Sequence, residues 1–324
     1  LPAAPNWSPS FASPDLDRVA VEPIATRVPP ECVYVRYGSF ENDRWFRDLS
    51  QQFGGDISRM VSVRGTDDNT TARLEDQLNL KTSELPRMLG STVIDDQAII
   101  GRDAFMVDGA TVGVLFKTKN AFLMRTSLGN DRSKLASSDP AVTLKDVKVA
   151  GRPISLLSTA DNRVRSFLVE DDGYILVTNS RTLVERFLEV GQSGESLATT
   201  SSFRLSRQLM PVDRDDSIFA YFSPEMLQGL VAPEYLIELR RRLFAKSDIA
   251  LVHLARLAAA AEGRSITGID ELAAAGFLPT HFGLRVDGSG VISVGDQIID
   301  TLRGARGTFL PIADVNIEAV TAEE

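Results

Sequence analysis

The chain has 324 residues, with 44 acidic against 35 basic side chains and a formal net charge of −9; such a balance opposes the phosphate backbone and makes nucleic acid a poor partner. With 43% apolar and 24% charged residues the composition is that of a globular protein able to bury a large core. The single cysteine, Cys32, excludes an internal disulfide, and no apolar run reaches the roughly 18–20 residues of a membrane span.

The elements follow in order. Residues 1–30 hold seven prolines and no helical or alternating period, the pattern of an extended lead-in. Residues 33–37 (Val-Tyr-Val-Arg-Tyr) read as a half-buried strand. Ser39 is placed to cap a helix over 41–52 whose apolar side is Phe40, Trp45, Phe46 and Leu49. A polar connection and short helix are expected over 67–79 and a brief turn of helix over 83–89. Strands follow over 93–100, 103–107 and 111–116, with Asp108-Gly109 as a hairpin signal.

A helix over 120–128 comes next. The order then returns: Phe105-Met106-Val107-Asp108-Gly109 is echoed by Phe167-Leu168-Val169 and Asp172-Gly173, then by a strand over 174–178 and a helix from Arg181, capped by Asn179 or Ser180. Leu183, Val184, Phe187 and Leu188 form one apolar face of that helix. A helix opened by Thr200 or Ser201 stops at Pro211, and a strand over 218–222 leads into a helix over 224–231. Four times, therefore, an apolar strand runs into a small polar residue and then an amphipathic helix.

Beyond Pro233 helix formers dominate. One helix is expected over 235–245 and a second over 248–262, capped by Ser247 and buried on most sides because nearly every residue is apolar or alanine. Thr267 and Asp270 suggest a capping box for a short helix over 271–275. Strands over 282–286 and 291–294, a glycine-rich basic stretch over 303–307 and an acidic tail complete the chain. The expected fold class is α+β: two related modules of antiparallel or mixed sheet with helices on one face, over 31–131 and 132–232, and a helical portion with short strands over 233–324.

No catalytic set emerges. His253 and His281 are the only histidines, and neither has relay partners. Asp213, Asp215 and Asp216 lack the turn glycine and distant glutamate of a helix-loop-helix calcium site. Asp95 and Asp96 are adjacent on a strand and so face opposite ways. The triplet Arg240, Arg241, Arg242 fans over about 200 degrees of a helix and reads as a solvated face. Arg303 and Arg306, with Gly304 and Gly307, are the candidate ligand-binding residues, because glycines let a backbone approach an anion closely. Cys32 reads as a small buried side chain, and Tyr34 and Tyr37 as the exposed members of an aromatic group that otherwise belongs to the core.

Gly151 to Leu157, Phe167 to Val177, the Asn179-Ser180 cap, Ser196-Leu197-Ala198 with Phe203, and Ile218 to Phe222 together resemble a bacterial domain of unknown function found in large exported or envelope-associated proteins, planctomycete ones included. The likeness runs from about Cys32 to Leu230 and again from Ser265 through Pro311. It implies an extracytoplasmic setting, in periplasm or cell envelope, and transfers no catalytic residue.

The sequence thus leads us to expect a non-catalytic structural or protein-interaction module with a protein partner and no cofactor, its contacts made through a sheet edge. Membrane association would come only through a segment outside this chain; the chain starts at Leu1 and not methionine, and a signal or anchor removed upstream is the expectation. Two alternatives are a small-ligand or lipid binding module, with a cavity lined by Phe105, Phe116, Phe167 and Phe187, and a carboxylate-dependent hydrolase, which requires acids from separate strands to converge in one cleft.

Overall fold

The computed structural model describes residues 1–7, 15–39, 41–42, 45–46, 48–49, 70–80, 90–103, 108–214, 218–280, 282–295, 297–322 and 324. The expected strand over 103–107 (Phe105 with it), the helical turn over 83–89, Phe40 and residues 50–52 of the first helix, Asp215, Asp216 and His281 lie wholly or mainly outside them.

The chain is α+β. Its strands are β1 (Val33–Arg36), β2 (Ile94–Gly101), β3 (Val112–Thr118), β4 (Thr143–Val149), β5 (Arg152–Ser158), β6 (Arg165–Asp171), β7 (Tyr174–Thr178) and β8 (Phe219–Phe222) in one eight-stranded sheet, and β9 (Val291–Val294), β10 (Gln297–Asp300) and β11 (Gly304–Ala305) in a small second sheet. Among the described residues the helices of six or more residues are α1 (Thr70–Leu78), α2 (Ala121–Ser138), α3 (Arg181–Ser193), α4 (Ser201–Leu209), α5 (Pro224–Leu230), α6 (Pro233–Ala261) and α7 (Ile269–Ala274), and a single helical turn, Gly90–Val93, precedes β2. Order in the large sheet is β4-β5-β6-β7-β3-β2-β1-β8, with every neighbouring pair antiparallel. Strands from residues 31–131 and from 132–232 therefore share one sheet, joined where β3 pairs β7 and where β1 pairs β8.

Three of the four strand–cap–helix units are described in full and form, the helix expected over 41–52 being described only in part, and each cap is made by a small polar residue at the junction. Asn42 N–H donates to Ser39 Oγ at 3.1 Å, Leu123 N–H to Asn120 Oδ1 at 3.1 Å, Leu183 N–H to Ser180 Oγ at 3.2 Å and Met226 N–H to Ser223 Oγ at 2.9 Å. Each bond satisfies one of the donors that a helix start leaves without an intrahelical partner. Asp314 adds a carboxylate at the start of α3, accepting from Arg181 and Thr182 N–H at 2.8 and 2.9 Å, where the helix dipole favours negative charge.

Helices cover both faces of the sheet, whereas one covered face was expected. Leu115, Leu176 and Phe167 pack against Leu183, Val184 and Phe187 of α3 and Phe203 of α4. Val114, Phe116, Ile175 and Val177 point the other way, onto Met124 and Leu128 of α2 and Leu78 of α1. The reason lies in β3 and β7, whose near-continuous apolar runs leave no polar face for water. Phe116 is thereby separated by the sheet from Phe167 and Phe187, so these rings do not line one cavity.

Four further expectations are corrected. Residues 16–30 are no extended lead-in: two 3-10 turns, Leu16–Arg18 and Pro23–Arg27, bury Leu16, Ile24, Ala25 and Val28 beneath the sheet. Ser247 caps nothing, because α6 runs unbroken for 29 residues; the buried positions Ile237, Arg241, Ala245, Ile249, Val252, Ala255 and Ala259 keep helical spacing straight through it. No side-chain cap opens α7, whose N-cap residue is Gly268. Residues 282–286 form turns in place of a strand, and β9 pairs with β10.

These observations set opposite signs for two serine substitutions. Ser180→Ala is expected to lower stability by about 1 kcal/mol through loss of a cap, and Ser247→Ala to raise it by about 0.5 kcal/mol through helix propensity. Urea titration of each variant checks the pair; a destabilising Ser247→Ala would count against a continuous α6.

Candidate interaction surface and binding cleft

α6 buries one stripe and exposes another. Its buried residues pack on α7, β9 and β10 around Leu272, Val291, Ile298 and Phe309. On the far side Leu236, Leu243, Phe244, Leu251, Leu254 and Leu257 are 48, 60, 53, 44, 60 and 67% exposed. The expectation of a helix buried on most sides therefore fails, for the small sheet is wide enough to cover one face only. Along this side, positions 236, 240, 243, 247, 250, 254, 257 and 261 alternate in steps of four and three, the spacing of a coiled-coil seam. Arg240 is the one charged residue among them, lying against the Phe244 ring. The six large side chains present on the order of 600 Å² of apolar surface, at the upper end of the largest patch usual on a monomer.

The arginine triplet of α6 divides in consequence. Arg240 is exposed, while Arg241 and Arg242 are buried among acids. Arg242 Nε donates to Glu238 Oε1 at 2.9 Å, and Arg303 Nε and Nη2 donate to Glu238 Oε1 and Oε2 at 2.9 and 2.8 Å. Arg303 also reaches Asp287 Oδ2 at 2.7 Å and Ser289 Oγ at 3.0 Å. Arg285 links Asp300 with Asp248, and Arg241 holds Glu324 at 2.7 Å. Burial pushes the Asp287 carboxyl up, but hydrogen bonds from Ser289 and Arg303 outweigh it and hold it at about 2.

Arg303 and Arg306 consequently do not form one site. Arg303 is fully buried and committed to this network, whereas Arg306 is exposed and lines an open cleft of about 540 Å³ with Arg73, Arg163, Glu75 and Asp161. The adjacent glycines do permit close approach, but of protein groups: a Cβ on Gly307 would stand 2.6 Å from the Arg73 guanidinium, and one on Gly304 2.8 Å from the Asn162 amide. Elsewhere Asp95 is exposed and pairs Lys117, Asp96 is buried and pairs Arg36, and His253 is exposed on α6. Cys32 is buried, and burial pushes its thiol up. Tyr34 is wholly buried, its hydroxyl donating to Glu22 at 2.8 Å. Among the described residues no three His, Cys, Asp or Glu side chains converge as metal ligands.

A cavity of about 230 Å³ opens where the β2–β3 connection, α5, the start of α6 and residues 312–317 meet. Asp103 and Thr111 come from the connection, Glu225 and Met226 from α5, Glu234 and Tyr235 from α6. Asp103 is 3% exposed and accepts the Thr111 N–H. Burial pushes its carboxyl up, against the pull of that bond and of Arg242 and Arg102; burial likewise pushes up the Tyr235 phenol. None of these residues was singled out from sequence. Glu225 follows Pro224 at a helix start, where an acid is accounted for by the dipole, and Asp103 and Glu234 are brought together only by the fold.

No protein-family model matches the chain, and no curated protein or solved structure is significantly similar to it.

Breaking the buried network is expected to be costly. Glu238→Gln leaves two buried guanidinium groups short of their counter-charge and should lower stability by about 3–5 kcal/mol in urea titration. The Asp287 contribution follows from its depressed pKa: it is complete above the ordinary aspartate value near 3.8 and lost as pH falls through about 2. Asp287→Asn should therefore flatten the fall in melting temperature between pH 4 and 2, and a profile parallel to the parent protein would contradict the assignment.

Proposed function

We propose that this chain is a non-catalytic interaction module of an exported or envelope-associated bacterial protein, and that it associates through the exposed stripe of α6, with a second copy of itself as partner. The observation that carries this reading is the row of six exposed large apolar side chains on one side of a 29-residue helix. A seam of four-and-three spacing is complementary to another helix of the same spacing. An antiparallel second α6 centred on Ala250 sets Leu243 opposite Leu257 and Arg240 opposite Ala260, two residues short of the exposed Glu262, so apolar meets apolar and the arginine has an opposite charge within reach. The stripe approaches the roughly 800 Å² per partner of a standard interface.

The sheet edge is the weaker candidate. Edge strand β4 exposes Lys145, Asp146 and Lys148, charges of the kind that discourage an added strand. The envelope setting is supported only by the family resemblance over about Cys32 to Leu230 and Ser265 to Pro311.

Sedimentation velocity between about 1 and 500 μM tests the reading. The parent chain is expected to shift from monomer to dimer. Leu243→Glu with Leu254→Glu should stay monomeric at an unchanged melting temperature, since both side chains are solvent-facing. Arg240→Glu should weaken the dimer, and adding Glu262→Arg should restore it. A parent chain that remains monomeric throughout defeats the proposal.

A further inference from the structure

The cavity between the β2–β3 connection and the start of α6 carries an excess of negative charge. Among the described residues five carboxylates line it, from Glu31, Asp103, Glu225, Glu234 and Glu238, against one cation, Arg102. Two are spoken for: Glu31 pairs Arg186 at 2.6 Å, and Glu238 pairs Arg242 and Arg303. Asp103, Glu225 and Glu234 have no ion-pair partner among the described residues.

One further atom is orphaned at the same place. Glu225 Oε2 is buried without a hydrogen-bond partner, while the Thr111 hydroxyl, 0% exposed, lies against the Asp103 carboxylate. A buried polar atom left unpaired costs about 1–3 kcal/mol, so one beside this cavity calls for a ligand that supplies the missing contact. The remaining wall is aliphatic, from Met226, Leu230, Ile312, Val315 and Ile317. At about 230 Å³ the space is below the roughly 300–1,000 Å³ of sites for drug-sized molecules, which limits the ligand to a small one.

We propose that this cavity is a binding site for a primary alkylammonium group, its head held by Asp103, Glu225 and Thr111 and its methylene stem against Met226, Leu230 and Ile312. An ammonium carries three donors and no acceptor, matching the acceptors gathered at the inner end, and its positive charge offsets the carboxylate excess. An anion would face that excess. A neutral apolar ligand would leave the Glu225 oxygen unpaired. The same head and stem occur in a free alkylamine and in a lysine side chain.

Titrations of the full chain, followed by backbone amide NMR shifts, separate these cases with three probes: pentylamine, Nα-acetyl-lysine methylamide and pentan-1-ol. The amine or the capped lysine is expected to saturate shifts at Thr111 and Tyr235, with pentan-1-ol at least tenfold weaker. The tighter of the two charged probes identifies the source as free amine or lysine side chain. Asp103→Asn keeps an oxygen for the Thr111 N–H and should weaken binding at least tenfold. Glu225→Gln, on the surface-facing helix α5, should weaken it severalfold and provides the reading if the Asp103 variant fails to fold. The proposal is overturned by no saturable shift up to 20 mM of either charged probe, by equal affinity for pentan-1-ol, or by parent-like affinity in a folded Asp103→Asn or Glu225→Gln protein.

Discussion

The carboxylate of Glu238, buried between Arg242 and Arg303, is the contact on which the C-terminal third of the molecule depends. A buried acid with two guanidinium partners is tolerable only if every charge finds its opposite at close range, and here each does. Arg303 brings the end of the small sheet to α6, and Asp287, Asp300 and Arg285 extend the pairing to the turn before β9. Arg242 carries it to the β2–β3 connection through the carbonyl of Asp108 and to the chain after β11 through that of Leu310. A Cβ on Gly109 would stand 2.1 Å from the Arg242 guanidinium, so a residue without a side chain is required there.

That anchoring sets what α6 can offer outward. With Glu238, Arg241 and Arg242 turned inward, together with the alanines and Ile249 and Val252 below them, the leucine stripe is left on the opposite side. The same clamp fixes the start of α6 against the β2–β3 connection, and so frames the acidic cavity. Surface and cavity are two consequences of one buried set of charges.

Much of the local structure was legible from residues in sequence. Ser39 caps as expected and Ser180 is the one of the expected pair Asn179 and Ser180 that does; Asn120 and Ser223, each between an apolar strand and a helix, cap in the same way, because a cap is a contact over three residues. The turn at Asp172-Gly173 and the strand over 174–178 were readable for the same reason. Where the reading failed, distant partners decided. Ser247 looks like a cap in its own neighbourhood, yet the packing of α6 on β9 and β10 carries the helix through it. Arg303 looks like an anion-binding residue beside glycines, but Glu238, 65 positions away, had already taken its charge. Proline-rich residues 16–30 look unstructured, though Ile24 and Val28 fill the core under α3.

By itself, then, the sequence determined the α+β class, most strand and helix positions and the four caps, all governed by backbone preference and contacts within a few residues. Only the tertiary structure decided that two stretches of strands merge into one sheet, that both its faces are covered, and that Arg303 is interior while six large apolar residues of α6 lie outside. Burial and charge pairing are set by which surfaces meet, and those surfaces come from segments far apart in the chain.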